Sequence, residues 1–492
     1  MTGRCRSMIS DNLQLDYSEI RSFIKSHMRM AYNNPNQEAG EARILASLAS
    51  GIDTLLMDMQ EGRGQSAVAE FLGRLNRLAQ ESRQKKMRGS RQPADPGARF
   101  FTDDGRAVYL GTILGSGGEG YVYRIQGMPG KAAKIYSPGR YGTEEQLQKK
   151  ERHIRALIRS RIPSRLEDVL VCTIPESCLY RDEEAKEFVG FLMPETESPF
   201  KFYDVLRETA ERNRFFPDLD YRGMIAVAYN LAEAVDFLHG HGVVVGDMNY
   251  SNIAVNTDGT VCLTDADSFD VRDRTTGEHF CCEVGMAELL PPELQRAGQT
   301  EKLQEEGFTE KTDDFSLAVN IFRLLMNNAA PFQGASGTEE IHFPSVSAAP
   351  SAPDSPSVPT ADICPDRAVA EGWCPYVKEI PGKGIPHWAP DYNMLPRKIR
   401  ELFGRVFDYT EKNYRSRIAL RPTAREWMEA LMEFYRTPMK QCGENPFHWF
   451  RSELEACPFC NGAPQESGEQ EKAGGGRYGR SKRESLTLQA GV

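Results

Sequence analysis

The chain has 492 residues and a formal net charge of -10, with 40% hydrophobic and 26% charged residues. This length allows two to four domains, and the composition is that of a soluble globular protein. No apolar stretch reaches the roughly 18 residues of a membrane span, and the first residues show no apolar targeting segment. Eleven cysteines, mostly single, argue against a disulfide scaffold. We expect a cytoplasmic protein without a membrane partner.

The first 84 residues carry amphipathic helical patterns. Apolar residues recur at helical spacing from Ile44 to Leu56 and again from Val68 to Leu78. Such stripes are typical of a small helical bundle more often than of a ligand site. The segment 85–99, basic and then rich in Pro and Gly, is predicted to be a linker. A nucleic-acid or membrane patch is the weaker alternative there, because the basic block is short.

A glycine-rich hairpin is predicted near residue 115. The glycines follow the apolar run from Val108 to Leu114 and lead into an alternating apolar run. A dinucleotide-binding G-x-G-x-x-G would lead from a strand into a helix, whereas strand, turn and strand fit better here. We expect a hairpin that covers nucleotide phosphates. Its expected nucleotide contacts are Gly115, Ser116, Gly117, Gly118, Gly120 and Val122.

A lysine inside a predicted strand follows in the sequence KAAKIY. Lys134 has apolar neighbours on both sides, as expected for a lysine within a strand, whereas the rival Lys131 lies at its edge. Ala132 is expected to contact the nucleotide together with Lys134. The apolar run from Phe188 to Met193 is predicted to be a buried strand before a hinge, where Met193 would contact the base.

A charged helix is predicted over 143–159, with Thr143 as its cap. A lysine that holds phosphates needs a carboxylate partner. Glu151 is the preferred partner, because it precedes an apolar stripe, and Glu144 and Glu145 are expected at the surface.

Three polar residues in the segment 242–269 carry the strongest signal. Asp247 and Asn252 lie five apart in a turn after an apolar run, and Asp265 ends a second apolar run. Phosphoryl transfer needs a group that orients the attacking hydroxyl, here Asp247, and oxygen ligands for Mg²⁺, here Asn252 and Asp265. Asp and Asn are common in turns, so this spacing alone would be weak. Because these three residues follow the predicted hairpin and Lys134 in the chain, we assign them to phosphoryl transfer.

The chain continues with three further motifs in a fixed order. They are PPEL at 291–294, TDDFSLAVNIFRLL at 312–325 and RPTAREWMEAL at 421–431. With the preceding motifs they make the chain resemble the protein kinase superfamily from about 100 to 435. The resemblance implies an α+β, bilobal fold with an antiparallel N-lobe sheet plus one helix over 100–195 and a mainly helical C-lobe over 196–435. It also implies ATP and Mg²⁺, with Asp247, Lys134 and Glu151 in catalysis. By the same resemblance, Asp313 takes the anchoring position of the helix at 312–325, and Arg421 pairs with Glu293.

Three segments, GDMNYSN, TDADSF and a terminal CPFC, narrow the resemblance to a subgroup of kinases. These are similar to motifs of bacterial eukaryotic-like kinases associated with tellurite resistance and phage-defence-like gene clusters. That group implies a role in stress or defence with partners from the same operon. Some members have a helix-hairpin-helix DNA-binding element, but its glycine hairpin is absent here, and the net charge of -10 also argues against nucleic acid.

Departures from the kinase pattern affect the expected mechanism. Gly246 stands where kinases usually have an arginine, so control by phosphorylation of the activation loop is not expected. Asn249 replaces a common lysine, which would lower the rate without abolishing transfer, since metal ions carry most of the stabilisation. Asp267 replaces a glycine, and it would either be a further metal ligand or, preferably, cap the following turn.

The carboxyl-terminal part contains one further candidate site. Cys457 and Cys460 form a C-x-x-C, and Cys442 and His448 lie shortly before it. Together they make a complete set of four zinc ligands over 436–462. A redox role is a weaker alternative, because no βαβ context surrounds the motif, and a chance proximity of the two thiols is another. The segment 334–362, rich in Ser, Ala and Pro, is predicted to be a surface insertion, and 463–492 a disordered tail.

The combined expectation is an ATP- and Mg²⁺-dependent kinase that transfers the γ-phosphate to Ser or Thr of a protein. One alternative is a nucleotide-binding pseudokinase that serves as a scaffold or switch. Retention of Lys134, Asp247, Asn252 and Asp265 favours activity over that alternative. A small-molecule kinase is the second alternative, because many such enzymes have a glycine beside the catalytic aspartate. The protein substrate is not identified by the sequence.

Overall fold

The computed structural model describes residues 93–460, apart from 139, 142, 197, 199, 283, 298–306, 334, 337–357 and 360–366. The predicted helical region 1–84, most of the linker 85–99 and the tail 463–492 lie outside the described residues. The predicted insertion 334–362 is described only at 335–336 and 358–359. Among the described residues, no helix combines the length and apolar character needed to cross a membrane.

The amino-terminal lobe is built on an antiparallel sheet that closes into a six-stranded barrel in the order β1-β2-β3-β4-β8-β7. The barrel strands are β1 (Arg99–Thr102), β2 (Ala107–Ser116), β3 (Gly120–Ile125), β4 (Lys131–Tyr136), β7 (Ser177–Tyr180) and β8 (Phe188–Pro194). Between β4 and β7 in the chain, β5 (Arg165–Leu166) and β6 (Val169–Leu170) form a short separate hairpin. The sequence predicts an antiparallel sheet, and pairing of Phe101 in β1 with Tyr180 in β7 closes it.

The barrel has its own apolar interior, because strand residues alternate between its two faces. Alternate residues of β4, Ala133 and Ile135, lie inside with residues such as Tyr123. Ala132, Lys134 and Tyr136 face the other way, and Ala132 and Tyr136 join the main core of the molecule. The face that carries Lys134 is therefore turned toward the rest of the protein.

One helix, α1 (Glu144–Ser160), packs on the barrel. Thr143 caps it as predicted, and its side chain accepts a hydrogen bond from the amide of Gln146 at 3.2 Å. The buried residues His153, Ile154 and Leu157 form its inner stripe. This stripe fixes the face that α1 turns toward the cleft between the lobes.

The carboxyl-terminal lobe is mainly helical. Its helices are α2 (Phe202–Val205), α3 (Thr209–Phe215), α4 (Tyr221–Gly240), α5 (Pro292–Ala297), α6 (Glu310–Leu325), α7 (Arg367–Glu371), α8 (Arg397–Phe407), α9 (Tyr414–Arg417) and α10 (Ala424–Arg436). Short 3₁₀ turns cover Ala266–Ser268, Tyr392–Met394 and Ile418–Leu420. Helices α4 and α6 are buried over most of their length and carry the core on which the site residues rest.

Among the described residues, five two-stranded pairs complete this lobe. Their strands are β9 (Ile253–Val255), β10 (Val261–Leu263), β11 (Val271–Arg272), β12 (His279–Phe280), β13 (Val284–Gly285), β14 (Ala335–Ser336), β15 (Val358–Pro359), β16 (Lys383–Gly384), β17 (Met439–Gln441) and β18 (Trp449–Arg451). Strands β9 and β10 form the antiparallel pair that connects Asn252 to Asp265. The pair β17–β18 lies beyond α10 and positions the carboxyl-terminal cysteines.

Candidate active site

The glycine-rich hairpin lies between β2 and β3, as the sequence predicts. Gly120 begins β3 opposite Tyr136, and a Cβ added to it would lie only 2.1 Å from the carbonyl oxygen of Ile135. A side chain at this position would push β3 away from β4. Val122 pairs with Lys134 and packs against the main core, and Met193 pairs with Ala132. These predicted nucleotide contacts therefore share one wall of the cleft with Lys134.

Lys134 lies at the centre of a cluster of carboxylates. Its Nζ contacts Asp265 Oδ1 at 2.6 Å, Asp267 Oδ1 and Oδ2 at 2.7 and 2.9 Å, and Glu119 Oε2 at 3.2 Å. Burial disfavours the charged amine, but these carboxylates outweigh it and hold the pKa of Lys134 well above its ordinary value. Lys134 is therefore a fixed cation at the cleft, whereas Lys131 pairs with Glu176 outside it.

The expected pairing of Lys134 with Glu151 is wrong in this structure. Glu151 Oε1 accepts hydrogen bonds from Tyr180 Oη at 2.7 Å and from Arg155 Nε at 3.0 Å. Glu151 and Lys150 are neighbours on α1, and it is Lys150 that turns toward the cleft. The inner stripe of α1 contains His153, Ile154 and Leu157, and Lys150 precedes these by three, four and seven residues.

Asp267 takes the place expected for the helix glutamate. Its side chain is fully buried. The carboxylate forms ion pairs with Lys134 and, at 3.0 Å, with Lys150 Nζ, and it accepts a hydrogen bond from the hydroxyl of Tyr136 at 2.8 Å. Burial alone would raise its pKa, but the two lysines hold the pKa of Asp267 well below its ordinary value. The preferred expectation that Asp267 caps a turn is therefore wrong, because its carboxylate is fully engaged by the two lysines and Tyr136.

The loop that contains Asp247 is anchored by α6. Asp313 is fully buried, and its carboxylate accepts from the amides of Val245 at 2.7 Å and Gly246 at 2.9 Å. His239 Nε2 lies 2.9 Å from the same carboxylate. Two hydrogen bonds to this carboxylate fix the backbone immediately before Asp247, and the contact with His239 connects it to α4. The sequence motif at 312–325 predicts this anchoring role, and the structure confirms the contacts.

Asp247 is buried, and its two carboxylate oxygens differ. Oδ2 accepts from Asn249 Nδ2 at 2.7 Å and from Asn252 Nδ2 at 3.2 Å. Oδ1 has no hydrogen-bond partner among the described residues. Burial, opposed by these amides and assisted by the charge of Asp265, raises the pKa of Asp247 to about 7. One oriented, desolvated oxygen is thus open to accept a proton or a hydrogen bond.

Asn249 occupies the position of the missing lysine and has a different task. Its Oδ1 accepts from the amides of Ser251 at 2.9 Å and Asn252 at 3.2 Å, so it closes the loop on itself. Asn252 is tied to the second apolar run, because the amide of Thr264 donates to its carbonyl at 2.7 Å. The two predicted Mg²⁺ ligands, Asn252 and Asp265, are thereby brought to the same region beside Asp247.

Packing explains why the residue before Asp247 is a glycine. Gly246 has φ of +73°, and a Cβ there would lie 2.6 Å from both Cβ and Sγ of Cys282. Cys282 belongs to a small apolar cluster with Leu290, Leu294 and Phe308. The space of an arginine side chain is therefore closed by apolar residues that hold down the segment after Asp265.

A buried ion pair fastens the end of that segment. Arg421 Nη1 and Nη2 donate to the two carboxylate oxygens of Glu293 at 2.6 and 2.8 Å, and both side chains are buried. Arg421 also donates to the carbonyl of Lys311 at 2.8 Å. The sequence predicts this pair from the motifs at 291–294 and 421–431, and the structure confirms it.

The four predicted zinc ligands converge beside β17 and β18. Cys442 Sγ lies 3.7 Å from Cys460 Sγ, and His448 Nδ1 lies 3.5 Å from Cys460 Sγ and 3.7 Å from Cys457 Sγ. All four ligand atoms lie within 4.8 Å of one another. Tetrahedral zinc with bonds of about 2.3 Å to sulfur and 2.0–2.1 Å to nitrogen has ligand-to-ligand edges of about 3.5–3.8 Å. The donor set therefore fits a zinc ion.

Sequence reasoning missed the roles of Lys150, Asp267, Glu119 and Tyr136. A lysine on the apolar stripe of a helix was a readable signal for Lys150, because such a lysine needs a buried carboxylate partner. Glu119 lies in the glycine-rich hairpin and also contacts Arg140 at 3.2 Å. No local pattern marks Tyr136 as a donor to Asp267, since the two residues lie 131 positions apart.

Comparison with known proteins finds relatives that are named as protein kinases. The chain is 28% identical over 365 residues to "Protein kinase YegI" of Escherichia coli strain K12, covering 74% of this chain and 50% of that protein. The protein of the same name in Escherichia coli O157:H7 is 28% identical over 364 residues, covering 73% of this chain and 50% of its own length. The chain thus spans about half the length of these curated relatives.

Other comparisons are more distant. No family model matches the chain. A crystal structure of a rhoptry kinase from Toxoplasma gondii superposes with a TM-score of 0.41 at 17% identity, over 70% of this chain and 84% of that one. The sequence relatives support a protein-kinase-like phosphotransferase of bacterial type.

Proposed function

We propose that the chain is an ATP-dependent protein kinase that transfers the γ-phosphate to Ser or Thr hydroxyls. The observation that carries the proposal is the convergence of Lys134, Asp247, Asn252 and Asp265 at one cleft, where one oxygen of Asp247 has no partner among the described residues. Phosphoryl transfer is mainly positioning and charge stabilisation, and this set provides groups for both.

Asp247 would receive the substrate hydroxyl. Its Oδ2 is held by Asn249 and Asn252, which leaves Oδ1 to accept the hydrogen bond or the proton of the attacking hydroxyl. With a pKa of about 7, Asp247 can hold that proton near neutral pH better than an exposed aspartate would.

The nucleotide would bind between the glycine-rich hairpin and the loop of Asp247. Lys134 would contact its phosphates, and Gly115, Ser116, Gly117, Gly118 and Gly120 would cover them. Asn252 and Asp265 would hold Mg²⁺, since amide and carboxylate oxygens suit this ion. When bound, Mg²⁺ neutralises charge on the phosphates. Glu119 now contacts Lys134, so its carboxylate has to leave when the phosphates arrive.

The test is transfer of labelled phosphate from γ-labelled ATP by purified wild type beside Asp247→Ala. We expect Asp247→Ala to lose at least about 100-fold in rate, as is typical of a general base. Asp218→Ala, which removes an exposed aspartate, is the matched control and should transfer like wild type. Mass spectrometry of the labelled product then shows whether Ser or Thr carries the phosphate.

Two other outcomes have distinct signatures. Tight ATP binding without transfer by wild type would favour the pseudokinase. Label on a small molecule and none on protein would favour a small-molecule kinase. The motifs that place Glu293 and Asp313 favour the protein-kinase class over both alternatives. On the sequence resemblance alone, we propose a role in a bacterial stress or defence system with operon-encoded partners.

We also propose that Cys442, His448, Cys457 and Cys460 hold a structural zinc ion. The ion would fasten the segment after α10 to the body of the lobe, where Phe459 packs on Tyr221 with ring centroids 4.9 Å apart. Elemental analysis of protein purified without chelator should find about one zinc per chain, and Cys457→Ser should lose it. Less than about half an equivalent, or full retention in Cys457→Ser, would contradict this four-ligand site.

A further inference from the structure

The wall of the cleft formed by Lys134 and α1, the upper wall, has an unusual distribution of charge. In kinases the lysine of the strand is held by a glutamate of the helix. Here the carboxylates of α1 are elsewhere: Glu151 is bound to Tyr180 and Arg155, and Glu144 and Glu145 are exposed. The helix instead directs the cation Lys150 into the cleft, where its side chain is largely buried.

The carboxylate that faces both lysines comes from the other lobe. Asp267 lies on the 3₁₀ turn Ala266–Ser268, and its side chain has no exposed surface. Its Oδ1 and Oδ2 lie 2.7 and 2.9 Å from Lys134 Nζ, and its Oδ2 lies 3.0 Å from Lys150 Nζ. One carboxylate therefore pairs with two buried cations, and the hydroxyl of Tyr136 adds a third donor.

Of the three carboxylates at Lys134, Asp267 is the one that can stay when substrate binds. The side chain of Asp265 is 35% exposed, and Asp265 is the proposed ligand of Mg²⁺. Glu119 is 29% exposed and belongs to the hairpin that would cover the phosphates. Both are expected to turn toward metal or solvent, whereas Asp267 is enclosed on all sides.

Lys150 connects this arrangement to the position of α1. Its Nζ also donates to the carbonyl oxygen of Asp267 at 2.6 Å. His153, one turn further along α1, lies 2.8 Å from the carbonyl oxygen of Phe269 and stacks on Phe280. The helix is thus fastened to the segment after Asp265 by two neighbouring contacts, and any shift of α1 would disturb Asp267.

We propose that Asp267 is the positioning residue of Lys134, with Lys150 as the helix partner of the same ion-pair unit. The usual arrangement is reversed: the helix supplies a cation and the metal-binding loop supplies the carboxylate. This inference rests on the proposed function, because Lys134 is taken to contact the nucleotide phosphates.

The test compares ATP affinity, KM for ATP and kcat among single variants. Asp267→Asn keeps the shape but removes the charge, and it should raise the Kd and KM for ATP by at least about tenfold. Glu151→Gln makes the same chemical change on α1 and should change both by less than about twofold. Asp218→Asn is the surface control. Equal or larger losses in Glu151→Gln would overturn the inference.

A relocated carboxylate distinguishes positioning from simple stability. The double variant Asp267→Asn/Lys150→Glu moves the carboxylate onto α1, as in ordinary kinases. It should recover at least about threefold of the ATP affinity lost by Asp267→Asn. A double variant no better than Asp267→Asn would overturn the positioning role and leave Asp267 as a structural residue.

Thermal melting checks that each variant folds. If Asp267→Asn does not fold, Asp267→Glu keeps the charge and displaces it by one methylene; a raised KM or Kd for ATP then supports the inference and unchanged values overturn it. The Kd for ATP also separates the two proposals. Wild type that binds ATP without transferring phosphate refutes the proposed function, while the Kd values still decide the role of Asp267. Wild type without ATP affinity refutes both.

Discussion

The two walls of the cleft follow the kinase pattern to different degrees. The lower wall, formed by the loop around Asp247 on the carboxyl-terminal lobe, keeps the anchoring of that loop by Asp313. The upper wall, formed by Lys134 and α1, keeps the lysine but exchanges the helix glutamate for Lys150 and Asp267. The backbone support of a site thus stays while the side chains that set its charge are rearranged.

A physical reason accounts for this difference. The lower wall depends on hydrogen bonds that one carboxylate accepts from backbone amides, and replacing Asp313 would leave several buried groups unpaired at once. The upper wall depends on ion pairs between side chains, where a carboxylate from any neighbouring element gives similar stabilisation if the distance is similar. Ion pairs can be rebuilt from the other lobe, and here Asp267 provides that replacement.

The largest effect is expected from removing the anchor of the lower wall. Asp313→Ala would leave the amides of Val245 and Gly246 and the ring of His239 without their acceptor. We expect a loss of about 3–5 kcal/mol in the free energy of unfolding, as for breaking a buried hydrogen-bonded charge. Chemical denaturation measures it. A loss no larger than that of the surface variant Asp218→Ala would mean that the loop has other support.

The second largest effect concerns Asp265, which touches both walls. Asp265→Ala removes the proposed metal ligand and one carboxylate from Lys134. We expect phosphate transfer to fall at least about 100-fold, with weaker binding of Mg²⁺-ATP, because charge stabilisation is the main term in this chemistry. Binding of ATP without Mg²⁺ should change less. Transfer at the wild-type rate would show that Asp265 is not the metal ligand.

A smaller effect is expected where the lower wall departs from the kinase pattern. Gly246→Ala forces a side chain against Cys282 and into a positive φ, which should cost about 1–3 kcal/mol in unfolding free energy. The companion variant Gly246→Ala/Cys282→Gly removes the close contact and should recover part of that loss. Equal stabilities of the single and double variants would assign the whole cost to the backbone conformation.

The smallest effect is a pH dependence of the anchor. Burial opposes charge on His239, but the hydrogen bond and charge of Asp313 outweigh it and raise the pKa of His239 above its ordinary value. This stabilisation is fully present below the unfolded pKa of about 6.5 and is lost as pH rises through the higher folded value. The unfolding free energy of wild type relative to His239→Gln should therefore decrease between about pH 6 and about pH 8.5.

The neighbouring Asp314 titrates in the same range, because burial, opposed by Lys311, raises its pKa to about 6. It is present in both proteins, so the difference between wild type and His239→Gln removes most of its contribution. A difference that is constant with pH would show that His239 has the same pKa in the folded and unfolded protein, and a difference that increases with pH would show that His239 is neutral in the folded protein.

The sequence by itself predicted the parts of this protein that depend on short spacings. The hairpin of β2 and β3, the strand of Lys134, the cap at Thr143, the loop of Asp247 and the pair of Arg421 with Glu293 all follow from local patterns or from a fixed order of motifs. A turn needs particular residues at particular offsets, and a strand or helix repeats its apolar residues with a fixed period. These requirements are visible in the chain itself.

Only the tertiary structure decided which charges meet. Glu151 and Lys150 are adjacent on α1, and a rotation of about 100° per residue separates their directions. The packing of α1 on the barrel turned Lys150 toward the cleft and left Glu151 beside Tyr180. In the same way, closure of the barrel by Phe101 and Tyr180 and the contact of Gly246 with Cys282 join residues far apart in the chain. Such partners are selected by distances in the folded protein, which no sequence spacing records.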